Sequence, residues 1–523
     1  MRQVGVYHNP VLRGFFPDPS IIRVEEDYYI VNSTFEYFPA IVISHSRDLV
    51  HWKTIGHAIT RNDYIDISSI EDSHGFWAPD ISYHNGLYYI FATLRLNDNP
   101  DGANAEPIRR QVVVTATDPK GPWTRPSFID IDGIDPSHFI DDDGRHYMLL
   151  HPGARIVQLD DSCTNTIGEI TTIWPGTGLR CPEGPHILKK DGWYYCILAE
   201  GGTGYHHQVS VARSRNLFGP YEQNPNNPVM TQSDPNAIIQ RAGHGKLVCT
   251  QKGDWWMVYL CGRPNHGRFT TLGRETALDP VQWKSDGWFT VNNNKGPSTE
   301  QTIPSLATFV LKENIIDDFS EHALSQEWQF VRNPDNELWS LEARPGHLRI
   351  ITGNALPGSL RMKNIFLRRE AHFNYRAITC IDFSPDIPGP EAGIIAYHGR
   401  HCFIKLFISI QKDQINIPGR CIKAVALRND METLLGTAMS IPDGPLFLKT
   451  EVTGHKRSFF WSADITKWIL VGEENDASYL SNEGVTIGKH HTGTLVGLYA
   501  ASGDTGCQIP ADFDWFSYEG LEK

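Results

Sequence analysis

The sequence predicts an all-β chain, a five-bladed β-propeller followed by a β-sandwich, on three observations. A unit of an acidic or polar residue, an apolar strand, an Asp-Gly-like turn and an aromatic strand recurs five times, roughly every 50 to 60 residues, the range in which repeats signal propeller blades. Before residue 300 no stretch of helix length carries a 3.6-residue apolar period. Beyond residue 315 the character changes to alternating runs such as His347-Leu348-Arg349-Ile350-Ile351-Thr352, with the period of half-buried strands. A chain of 523 residues also exceeds one ordinary core, so two domains are expected, residues 1–300 and 315–523.

The first unit is Phe16-Pro17-Asp18-Pro19-Ser20-Ile21-Ile22, leading into Asp27-Tyr28-Tyr29-Ile30-Val31. The second, Trp77-Ala78-Pro79-Asp80-Ile81, turns through His84-Asn85-Gly86 into Leu87-Tyr88-Tyr89-Ile90. The third runs from Asp135-Pro136-Ser137-His138 through Asp141-Asp142-Asp143-Gly144 to His146-Tyr147-Met148-Leu149. In the fourth, Glu183 stands between Pro182 and Gly184-Pro185, ahead of a hairpin turning at Asp191-Gly192. The fifth contains Ala242-Gly243-His244-Gly245-Lys246 and Trp255-Trp256-Met257-Val258-Tyr259. Further strand-like pieces between the units, such as Gln111–Ala116 and Gln208–Ala212, make four strands per blade. Asn292–Ser305, rich in Asn, Pro, Ser and Thr, reads as a linker.

Composition narrows the function. A formal net charge of -14 disfavours nucleic acid and anionic membrane as partners. Aromatics at 11% fit a β-rich protein with aromatic-lined grooves, and a neutral ligand. Nine cysteines, an odd number without a CxxC pair or zinc-type spacing, read as free thiols in a reducing compartment. Met1–Pro10 shows neither a secretory leader nor an anchor, and no later run is long enough to span a membrane. A cytoplasmic protein is the expectation, with room for a homo-oligomer. Asp141-Asp142-Asp143-Gly144 lacks the ligand alternation of a calcium loop and reads as a hairpin turn. Gly201-Gly202-Thr203-Gly204 has no Gly-Lys-Ser/Thr after it and is not a phosphate loop; with Tyr205, His206 and His207 it reads as a pocket rim.

In a propeller, residues at the starts of the innermost strands point to one end of the central channel. Asp18, Asp80, Asp135, Glu183 and His244, far apart in sequence, would then converge. Carboxyls crowded in a partly enclosed funnel push each other's pKa values apart, so one stays protonated while another is ionised. Acid/base hydrolysis of a glycosidic bond needs that pair. Taken singly, each Asp-Pro or Glu-Gly-Pro is more often a turn former.

Phe16-Pro17-Asp18-Pro19-Ser20, Ser33-Thr34-Phe35-Glu36, His45–Trp52, Trp77-Ala78-Pro79-Asp80, Asp135-Pro136-Ser137, Glu183-Gly184-Pro185-His186 and Leu272-Gly273-Arg274-Glu275-Thr276 together resemble glycoside hydrolase family 43, the β-xylosidase and α-L-arabinofuranosidase group. The resemblance implies a five-bladed propeller and single-displacement hydrolysis with inversion. By it, Asp18 is the general base, Glu183 the general acid, and Asp135 orients the acid and raises its pKa. Such an inverting pair stands roughly 6.5 to 9.5 Å apart. Trp77 and Phe35 are candidate sugar-contacting aromatics, or blade packing. Arg274 is a candidate partner of a sugar hydroxyl or a catalytic carboxylate. His244 sits under the funnel by the resemblance, where a hydrated structural calcium has room, or is a core histidine. No cofactor is required and no protein metal ligand is assigned.

The second half resembles the concanavalin-like jelly roll of the β-xylosidase branch, which lends a loop to the pocket mouth and favours cutting from chain ends. Tyr37 and His138 depart from the family pattern and bear on leaving-group preference. The resulting expectation is an exo-acting inverting glycosidase releasing pentose from xylo- or arabinoxylo-oligosaccharides, β-xylosidase first. The alternatives are α-L-arabinofuranosidase as main activity, an endo-arabinanase, or a non-catalytic carbohydrate-binding propeller.

Overall fold

A computed structural model describes residues 5–98, 108–307, 315–353, 355–412 and 418–522. Met1–Val4 and Lys523, the outer ends of the two expected domains, lie outside these residues. Among the described residues no α-helix forms; two single 3-10 turns, Asn292–Asn294 and Gly503–Thr505, interrupt an all-β chain.

Five antiparallel sheets succeed one another along the first half, with inner strands Ser20–Val24, Gly75–His84, Ser137–Ile140, Glu183–Lys190 and Gln240–Cys249. We call these sheets blades 1 to 5. The expected turn residues close the inner hairpins: Asn85 and Gly86 both hold positive φ, as does the pair Asp191 and Gly192, the requirement of a two-residue loop that matches strand twist. Asp141–Gly144 is a hairpin turn, with Asp141 N–H bonded to Arg145 O. Register shifts between Trp77 and Asp80, Glu183 and His186, and Gln240 and Lys246 mark irregularities at the starts of three inner strands, and such bulges re-aim side chains. The ring closes through the N-terminal segment, where Val11 N–H bonds Thr276 O of blade 5 and Tyr7 Oη donates to Leu278 O. Within the stretch read as a linker, Glu300–Thr302 pairs with Val6–His8, so it is a strap across the ring, not free chain.

The second half stacks an eight-stranded and a nine-stranded antiparallel sheet over an apolar core that includes Ile350, Ile394, Leu406, Leu448, Leu498 and Phe513. The ninth strand comes from the propeller. Tyr37–Phe38 pairs with Gln329–Val331, so a two-residue piece of blade 1's connection is an edge strand of the sandwich. Tyr37 is accordingly buried in the seam between domains, against Phe15.

Charge locks the same seam. Arg332, 1% exposed, donates its backbone N–H to Glu36 O and pairs through Nη2 with Asp72 at 2.7 Å. Asp72 also accepts the Arg400 N–H, while Ser73 N–H binds Glu36 Oε2. Burial, then the neighbouring Asp72 charge, pushes the Glu36 carboxyl up to about 8. Removing one member of a buried pair strands its partner's charge. Arg332→Met is therefore expected to destabilise the protein by about 3–5 kcal/mol, read as a lowered urea midpoint; a loss within noise would assign the seam to its backbone pairing alone.

Candidate active site

The floor of the site is Asp80 of blade 2, which gathers one group from each of the other four blades. Its Oδ1 accepts from Ser20 Oγ at 2.7 Å and Lys246 Nζ at 2.5 Å, its Oδ2 from the His138 N–H at 2.8 Å, and His186 Nδ1 stands 3.6 Å away. Lys246 additionally reaches Ser20 Oγ and Ile81 O. Burial would raise the Asp80 carboxyl, but Lys246, His186 and the donors hold it below its usual value. Asp80 thus belongs to the channel beneath the rim, saturated and turned away from acid/base work.

Above it three carboxyls face one another electrostatically. Asp18 is held in the left-handed region (φ 51) between two prolines and is 5% exposed. Ser33 Oγ donates to its Oδ2 at 2.6 Å and Arg274 Nη1 to its Oδ1 at 2.9 Å. Burial alone would protonate Asp18; the Arg274 guanidinium, then His244, Ser33 and His207, outweigh it and keep the carboxyl below the usual range. Glu183 goes the other way. Burial, then the Asp18 charge, lifts it to about 7, against partial relief from Arg274 and Arg180. Asp135, also at positive φ (56), is buried and raised well above its ordinary value, by burial first and then by Glu183 and Asp18. Its Oδ2 accepts the Gly184 N–H at 3.0 Å, which ties it to the backbone beside Glu183.

His244 stands between Asp18 and the Glu183 segment. Its Nδ1 lies 3.8 Å from Asp18 Oδ1, and a Cβ on Gly184 (φ 59) would stand 2.9 Å from its Nε2, so only glycine fits after Glu183. Burial lowers the His244 pKa. The oxygens below it, from Asp80, Ser20 and Ile81, would suit a hard cation, but the Lys246 ammonium already binds all three. This donor set does not fit a calcium ion.

The side wall is shared between domains. Phe35 packs against Phe15, Trp77 and Arg274, and Trp77 donates Nε1–H to Ser73 O. His491, from the sandwich, completes the group: its ring lies 5.9 Å from Phe35 and 5.8 Å, edge-on, from Trp77. Arg274 Nη2 donates to His491 O at 3.1 Å, His491 N–H to Ser73 Oγ, and Gly273 packs directly on Gly493. Glu483 of the sandwich meanwhile binds the Thr270 N–H and Arg241. The loop Lys489–Thr494 therefore forms part of the wall beside Asp18 and Arg274.

Two comparisons now bear on this geometry. The family described as "Glycosyl hydrolases family 43" matches residues 7–289, and "Beta xylosidase C-terminal Concanavalin A-like domain" matches residues 316–519. The chain belongs to glycosyl hydrolase family 43. The crystal structure of a family 43 protein from Bacillus licheniformis superposes with a TM-score of 0.96 at 54% identity, over 99% of this chain and 100% of that one. A Xylan 1,3-beta-xylosidase from a Vibrio species is 36% identical over 98% of each chain. A Non-reducing end alpha-L-arabinofuranosidase from Bacteroides ovatus is 35% identical over 99% of this chain and 95% of its own.

Within this family 43 chain, the structure brings Asp18, Glu183, Asp135, His244 and Arg274 together and sets Phe35 and Trp77 on the adjoining wall. Phe35 is 2% exposed, so most of its surface serves packing. His207 lies behind His244, buried, whereas Tyr205 sits at the rim with Arg268 over its ring. Sequence reasoning missed Ser33, Lys246 and His491. Ser33 was quoted within the Ser-Thr-Phe-Glu motif without a role, Lys246 lay two residues beyond His244, and His491 carries no local signal.

Removing the cation beside Asp18 should let burial act unopposed. In Arg274→Gln the acid limb of the kcat/KM profile is expected to move up by about 1–3 pH units, measured from pH 3 to 8; an unmoved limb would mean that Arg274 does not set the charge of Asp18.

Proposed function

We propose that this family 43 glycoside hydrolase is an exo-acting, inverting pentosidase, β-xylosidase first and α-L-arabinofuranosidase second. The observation that carries the division of labour is the opposite shift of two buried carboxyls beside one guanidinium, Asp18 held below its usual range by Arg274 and Glu183 lifted to about 7 by burial and the Asp18 charge. Asp18 takes a proton from water as its oxygen attacks the anomeric carbon. The C–O bond to the leaving sugar breaks, and Glu183 gives its proton to that oxygen. Attack opposite the leaving group inverts the centre, and both carboxyls are reset by exchange with solvent. Asp135 positions the Glu183 segment through Gly184. No step calls for a cofactor, and none is routed through calcium.

The loop Lys489–Thr494 supports cutting from chain ends, since its His491 joins Phe35 and Trp77 in walling one side of the site. The names of relatives divide between xylose and arabinose, which offer similar hydroxyl arrangements. Nine cysteines, all unpaired, support the reading of a reducing, cytoplasmic setting.

Hydrolysis of 4-nitrophenyl β-D-xylopyranoside and α-L-arabinofuranoside, with the product anomer followed by NMR, tests the reading. Asp18→Ala is expected to lose about 10²–10⁴-fold on both substrates. Glu183→Ala should lose less on these activated leaving groups than on xylobiose, which needs the proton more. A retained anomeric configuration would overturn the roles of both carboxyls, and no turnover of aryl glycosides or xylo- and arabino-oligosaccharides would favour a binding propeller. Because the acid must hold its proton, kcat/KM is also expected to fall above about pH 7, where Glu183 ionises; a plateau to pH 9 in the wild type would exclude Glu183 as the acid.

A further inference from the structure

Blade 3 carries a buried cluster that hydrolysis does not use. His138 lies on the inner strand, His146 opens the next strand, and Cys163 sits in the turn beyond the third, at φ 57. They are 8% or less exposed. His138 Nε2 and His146 Nδ1 are 2.9 Å apart; Cys163 Sγ is 3.2 Å from His146 Nδ1 and 3.8 Å from His138 Nε2. The two rings are stacked, with centroids 5.1 Å apart.

We propose that His138 Nε2, His146 Nδ1 and the Cys163 thiolate form a binding site for one transition-metal ion of the zinc class. Zinc–nitrogen bonds of about 2.0 Å and zinc–sulfur bonds of about 2.3 Å at tetrahedral angles place ligand atoms about 3.3 to 3.6 Å from each other. The three atoms need move only by tenths of an ångström. The donors are borderline to soft, which selects zinc-class ions over calcium or magnesium. An outer partner is already in place: Ser82 Oγ lies 2.6 Å from His138 Nδ1, and when Nδ1–H donates to it the Nε2 lone pair faces the cluster. Asp160 and Asp161 act electrostatically on both Cys163 and His146, adding a field that favours a cation. On binding, the Cys163 S–H bond breaks, the sulfur–metal bond forms and the proton leaves to solvent, with no change of oxidation state; water takes the fourth position. The ion would tie two strands of blade 3 to the turn after the third, next to the His138 N–H that binds Asp80.

Cobalt(II) titration of the chelator-stripped full chain tests this, with zinc as competitor. Among the described residues the other cluster able to hold an ion, His266, His455 and Asp476, contains no cysteine. A thiolate-to-cobalt charge-transfer band saturating at one equivalent and displaced by zinc is therefore the expected result, kept in His455→Gln and lost in Cys163→Ser. Ser82→Ala should weaken binding roughly 10- to 100-fold without removing the band. Absence of the band in the wild type, or its survival in Cys163→Ser, would overturn the proposal; the wild-type result stands even if a variant fails to fold.

Discussion

A carboxylate with 1% exposure on the axis of a propeller is tolerable only if its charge is met, because an unpaired buried charge costs several kcal/mol. Asp80 is met by the Lys246 ammonium, and its remaining lone pairs are filled from Ser20 and the His138 backbone, with His186 close by. One side chain of blade 2 thereby takes a neighbour from each of the other four blades. Shifting any blade along the axis would break one of these contacts, so the hub fixes the relative height of the inner strands. That height decides which residues arrive at the rim, and Asp18, Asp135, Glu183 and His244 lie there because the strands beneath them are held level.

At the rim the balance of charge is narrower. Three carboxyls share one guanidinium, and like charges in a desolvated site cannot all ionise. Arg274 resolves the competition by contacting Asp18 directly, leaving Glu183 and Asp135 to be raised by burial and by the charge that Asp18 keeps. The same guanidinium binds the carbonyl of His491. The charge state of Asp18 and the approach of the second domain are thus coupled through one side chain.

Much of this was legible before any coordinates. Asn85-Gly86 and Asp191-Gly192 announce hairpins because two-residue loops demand positive φ, and the five acidic-strand-turn-aromatic units announce blades because each repeats one supersecondary unit. The motifs around Asp18, Asp135 and Glu183 are short and contiguous, so they survive as text. What was not legible depends on distance along the chain. The approach of His491 to Trp77 crosses from the last third of the sequence to its first hundred residues, and no local pattern encodes it. The burial of Tyr37 in the seam, where it pairs with Val331, likewise follows from domain docking and not from its own neighbours. Asp80 resembled its fellow carboxylates in sequence, and only the approach of Lys246 from blade 5 separates it from them. The cluster of His138, His146 and Cys163 was invisible for the same reason, since strand pairing and a turn bring together residues whose spacing matches no zinc motif.

The neutral floor has a consequence for the acid above it. Burial pushes His186 down to about 3 and keeps it uncharged, so the -1 of Asp80 is cancelled by the +1 of Lys246 and the channel carries no net charge. A surplus positive charge there, such as a divalent ion added beside the ammonium, would stabilise ionised Glu183 and pull its pKa down. A surplus negative charge, as when the ammonium is removed, would raise both Asp18 and Glu183 and threaten the ionised state of the base. The pairing of one lysine with one aspartate on the axis therefore leaves Arg274 and burial to set Asp18 below the usual carboxylate range and Glu183 well above it.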